Sequence, residues 1–77
     1  MTVIKYDIIR SPDGWRVHCN GVEGPAYADS LDAIRDTLFI AQTLEGVGDK
    51  VEVRVLELDG QRKVWRNLKV EDARLYR

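Results

Sequence analysis

One stretch of this 77-residue chain, and only one, repeats its apolar residues at helical spacing. Leu31, Ile34, Leu38, Ala41 and Leu44 recur at steps of three and four, which puts them on one face of an α-helix, and Phe39 and Ile40 widen that face. Asp29 or Ser30 can cap its start by accepting an orphan backbone N–H. Asp32 and Asp36 place negative charge near the positive end of the helix dipole. Gly46 is a natural left-handed stop, reinforced by Gly48. The helix is therefore expected over about 31–45. With a single helix available, the rest of the core must come from strands, and the fold class is α+β in two layers.

The flanking text alternates as strands do. Ile4, Tyr6 and Ile8 point one way, with Lys5 and Asp7 on the other side, joined there by Ile9. Ser11-Pro12-Asp13-Gly14 supplies turn chemistry. Trp15, Val17 and Cys19 then alternate with Arg16, His18 and Asn20 as a second strand. Asn20-Gly21 is a favoured hairpin dipeptide, but Gly21, Gly24 and Pro25 lie so close together that 22–28 reads as a loop or irregular edge rather than an extra strand. After the helix, Val51, Val53 and Val55 alternate with Glu52 and Arg54. Asp59-Gly60 marks a second hairpin, leading into Gln61–Val70. A two-residue Asp-Gly loop would set Val55 opposite Val64, and one extra loop residue would set Val53 opposite Trp65. Residues 71–77 read as a helical turn or a weakly ordered tail.

The expected order is thus ββαββ, one domain over 1–77. Its four-stranded antiparallel sheet is ordered 2-1-3-4, with the helix on one face, since short connections favour that arrangement. A helix of about 15 residues spans roughly 22 Å, too little to roof the whole sheet. Ile9, Leu56, Leu58 and Trp65 would then project from the far face. Monomers seldom leave large apolar patches uncovered, and small domains short of core often complete it by association. Those four residues are the expected self-association surface of a homodimer, unless the tail with Leu75 and Tyr76 folds over them.

Composition narrows the function classes. The chain is 44% apolar and 32% charged with net charge −1, so disorder and bulk attraction to nucleic acid or anionic membranes are not expected. No apolar run approaches the roughly 20 residues that cross a bilayer. The N-terminus lacks the layout of a secretory signal, and a lone Cys19 cannot form an intrachain disulfide, which fits a cytoplasmic protein. The charge is uneven. Residues 1–49 carry four Lys/Arg and eight Asp/Glu, net −4; residues 50–77 carry eight and five, net +3.

No residue set reads as catalytic, and no metal, cofactor or small-molecule ligand is implied. His18 and Cys19 are adjacent, so they fall on opposite faces of a strand and make neither a metal pair nor a nucleophile–base pair. Asp29, Asp32 and Asp36 do what capping and the dipole require. Gly46-Val47-Gly48 follows the helix rather than leading into one, which is the wrong end for a phosphate. The strongest alternative to self-association is Arg62, Lys63, Trp65, Arg66 and Lys69. Cations beside an aromatic suit single-stranded nucleic acid, although basic residues on an edge strand also guard against aggregation.

Asp13-Gly14-Trp15 after the first strand, the apolar strand Val17–Gly21, an Ala-containing helix, and Asp59-Gly60 followed by Trp65 resemble a family of small bacterial proteins. That family carries only a domain-of-unknown-function label. The resemblance spans about residues 4–66 and implies a ββαββ fold, but no activity, cofactor or catalytic residue. This helix departs from the family's Ala/Arg-rich style, with Leu38, Phe39, Ile40 and Leu44 in its place.

Overall fold

The structure, a computed structural model, describes residues 3–76. Five strands form one sheet: β1 (Val3–Ser11), β2 (Gly14–Cys19), β3 (Val22–Tyr27), β4 (Lys50–Asp59) and β5 (Arg62–Leu68). Their order is β3-β2-β1-β4-β5. One helix, α1 (Ser30–Gly46), crosses one face, and a 3-10 helix (Val70–Tyr76) follows β5. The α+β class and the neighbour relations of the expected four strands hold; the four-stranded antiparallel sheet does not.

The difference comes from one turn. Asn20 and Gly21 both adopt positive φ, 51° and 83°, the pattern of a type I′ turn. The chain therefore reverses into β3 instead of looping to the helix. That extra reversal starts α1 from the opposite end of the sheet, so β4 returns parallel to β1, pairing Val3↔Lys50 through Ile8↔Val55. Gly24 and Pro25 suit this strand because it is an edge. A side chain at Gly24 would collide with the Val17 carbonyl, beside a register shift between Arg16 and His18. An edge strand also tolerates a proline that cannot donate outward.

The β4–β5 hairpin differs from both expected registers. Its two-residue loop is Gly60-Gln61, and it sets Val55 opposite Arg66 and Leu56 opposite Trp65. Gly60 occupies the first loop position with φ 66°, the glycine-first preference of type II′ turns. From the Asp-Gly register the shift is two residues, which keeps every side chain on its face; from the longer-loop register it is three, which puts Trp65 on the opposite face from the one that register implies.

The core lies between sheet and helix: Ile8, Val17, Val51, Val53 and Val55 meet Ala33, Ile34, Leu38 and Ala41. Asp29 is the N-cap, accepting from the Leu31 N–H at 2.8 Å. At the other end Asp49 N–H bonds Leu44 O and Gly48 N–H bonds Glu45 O, a Schellman closure with left-handed Gly48, not Gly46, as its pivot. The buried stripe is narrower than the spacing suggests, and Leu31, Phe39 and Ile40 are exposed. At about 100° per residue, Phe39 falls diametrically opposite the Ala33–Ala41 face.

The tail completes this layer. The 3-10 helix packs beside α1, buries Ala73 and rests Val70 and Tyr76 on the core. It covers the helix side, not the far sheet face.

Candidate functional site

Strand alternation and the observed registers lay out the uncovered face as rows. Arg16 pairs with Ile9, Leu56 pairs with Trp65, and Ile9 and Leu56 each follow the last pair of the β1–β4 ladder, Ile8↔Val55. One step along, Glu23, His18, Asp7, Arg54 and Asn67 form a row through all five strands. Leu58 and its partner Lys63 lie beyond the apolar row. All four residues expected at a self-association surface therefore share the face opposite α1. Leu58 is 62% exposed and Trp65 41%, while Ile9 and Leu56 are half-buried.

The face is not purely apolar, and its polar part is organised. Arg54 donates from Nε and Nη2 to the two Asp7 carboxylate oxygens at 2.9 and 3.1 Å. This fork geometry is the strongest that a guanidinium makes with a carboxylate. The hydrogen bonds to Asp7 hold the guanidinium even more firmly protonated than usual. The same guanidinium lies 4.2 Å from the Trp65 ring centroid, within cation–π range. Asp7 thus fixes Arg54, and Arg54 fixes the indole. Sequence reading put Asp7 and Arg54 on the sheet but missed the pair, because it depends on β1 and β4 running parallel and in this register.

The β2–β3 side carries the opposite charge. Arg16 binds Asp13 and Glu23, each at 3.0 Å, and donates to the Gly24 carbonyl at 3.1 Å. A 2.6 Å hydrogen bond from the Ser11 hydroxyl, aided by Arg16, holds the Asp13 carboxyl below its usual range. Two carboxylates around one guanidinium leave this corner net negative. The β5 side presents Lys63, which has no carboxylate partner among the described residues.

The basic–aromatic segment is split by its strand. Lys63 and Trp65 share the open face; Arg62 and Arg66 point to the other side, and Arg66 is tied to Glu57. Lys69 lies past the end of β5. His18 faces the open side, while Cys19 sits on the helix side opposite Tyr6. Among the described residues no three His, Cys, Asp or Glu side chains converge as metal ligands, and no helix is long and apolar enough to cross a membrane. Comparison with protein-family models, curated proteins and solved structures returns no match for this chain.

Proposed function

We propose that this protein is a non-catalytic binding module that self-associates, its occupant being a second copy of the same chain seated on the uncovered sheet face. The observation that carries the reading is the row Ile9–Leu56–Trp65 with Leu58 beside it, on a face that neither α1 nor the tail covers. Trp65 is held by Arg54 in advance of contact, which lowers the ordering cost of an interface anchor. Charge selects the partner. A two-fold axis running along the strands lays β5 of one copy over β3 of the other, bringing Lys63 toward the acidic Asp13–Glu23 corner twice. Sheets packing this way sit about 10 Å apart with strands nearly aligned, and such an isologous contact closes as a dimer.

Single-stranded nucleic acid on the same face is the competing occupant. It is weaker because β5 turns Arg62 and Arg66 away from this face and Lys69 lies past the strand end, which leaves Lys63 as the cation of the segment beside Trp65. Sedimentation of Leu58→Asp tests the choice. The substitution should give a monomer with an unchanged far-ultraviolet circular dichroism spectrum; a mass identical to wild type overturns the surface. Salt-sensitive binding of a single-stranded oligonucleotide, lost in Trp65→Ala, would transfer the face to nucleic acid.

A further inference from the structure

The parallel ladder between β1 and β4 stops at Ile8↔Val55, although β1 continues to Ser11 and β4 to Asp59. Beyond that point each strand pairs only with its hairpin partner: Arg10 with Trp15, and Leu58 with Lys63. The two hairpins splay, and the gap between them is a cleft of about 360 Å³ lined by Arg10, Trp15, Ser30, Leu56, Leu58 and Lys63, with Glu57 at its wall. That volume lies at the small end of the roughly 300–1,000 Å³ range of ligand pockets.

The lining has a defined chemistry. Trp15, Leu56 and Leu58 offer an apolar slot. Arg10 and Lys63 bring two cations that have no carboxylate partner among the described residues, whereas Glu57 is engaged by Arg66. The Arg10 guanidinium lies 5.9 Å from the Trp15 ring centroid, so it is positioned by the indole without being neutralised. Ser30 adds a hydroxyl donor. Cations beside an apolar slot favour a ligand that carries its own negative charge.

We infer that this cleft between the hairpin ends is a binding site for an anion bearing one flat apolar ring: an aromatic carboxylate whose ring lies between Trp15 and the two leucines and whose acid group meets Arg10 and Lys63. The chemistry is shared by a free small acid and by the C-terminal carboxylate of a peptide ending in an aromatic residue. The site goes beyond the self-association reading: it shares Leu56, Leu58 and Lys63 with that surface, but Arg10, Trp15 and Ser30 lie outside it, and Trp65 lies outside the cleft.

The test is titration of the isotope-labelled protein with naphthoate, followed by two-dimensional amide and indole NMR. Naphthamide serves as the neutral control and acetyl-Gly-Gly-Phe as the peptide arm. Naphthoate should shift the Trp15 indole and the amides of Arg10, Ser30 and Leu58, and bind at least about tenfold more tightly than naphthamide. Arg10→Gln and Lys63→Gln should each weaken naphthoate by about tenfold while leaving the remaining spectrum folded. Trp65→Ala, which attacks the dimer, should leave naphthoate binding within about twofold. Whichever of naphthoate and the peptide binds more tightly identifies the source of the carboxylate. Equal affinity for acid and amide, shifts centred elsewhere, or no shifts at millimolar naphthoate would overturn the site.

Discussion

Gly14 is the residue at which the sheet and the helix entry meet. Its φ is 125°, and a side chain there would strike the Tyr27 carbonyl at the end of β3. Gly14→Ala should therefore lose roughly 2–4 kcal/mol in denaturant unfolding, combining backbone strain with a clash; a loss under about 0.5 kcal/mol, the range of an ordinary surface change, would refute the close approach. Two tyrosines give a pH signature. Burial, with the neighbouring Cys19 thiol, raises the Tyr6 phenol; burial, with the Asp36 carboxylate, raises Tyr27. A raised value means that the folded state holds the proton more tightly. The contribution to stability is complete below the ordinary tyrosine value near 10 and is lost as pH rises through the folded values. Denaturant midpoints should accordingly fall as pH rises above about 10, and less so in the Tyr6→Phe, Tyr27→Phe double variant. Arg54→Met should alter the near-ultraviolet circular dichroism and emission of Trp65 without changing the far-ultraviolet spectrum, since the guanidinium positions the indole and lies outside the core.

At the scale of elements, legibility followed periodicity and local turn chemistry. The helix was readable because five apolar residues kept one spacing from Leu31 to Leu44, and its ends were found to within a residue. The stripe was over-read at Phe39 because a run of large apolar residues says nothing about which angle faces the sheet. Strand β3 was obscured by Gly24 and Pro25, residues that weaken a central strand but suit a bulged edge. That one misreading inverted the direction of everything after it and hid the parallel β1–β4 contact, and with it the Asp7–Arg54 pair. The 3-10 helix was legible only as one of two alternatives, a helical turn or a weakly ordered tail over 71–77: Val70–Tyr76 shows neither period, and its place is set by the room left beside α1. Ala73 is its buried anchor, 8% exposed. Ala73→Asp should cost about 3 kcal/mol or more by burying a charge in the apolar core, whereas Leu75→Asp, at an exposed position, should stay within about 0.5 kcal/mol. Equal effects from both would mean that the tail does not seal the helix layer.

The whole molecule has two unlike sides. One is roofed by α1 and the tail and rich in acids at Asp32, Asp36, Glu45, Glu71 and Asp72. The other is an open sheet on which an ion pair, a held tryptophan and three aliphatic side chains lie in register. The open side was legible in outline, because side chains alternate along a strand whatever its direction: Ile9, Leu56 and Leu58 fall on the expected face although the topology differs, whereas the face of Trp65 depended on a hairpin register that turn chemistry left open. The proposal that a second copy covers this surface pairs the acidic corner of one chain with Lys63 of the other. Light-scattering mass of the unmodified protein across a concentration series bears on this most directly. The mass should rise from 8.8 kDa toward twice that value and no further; a mass that stays at 8.8 kDa throughout, or that climbs past the dimer, would contradict a closed pair built on the open face.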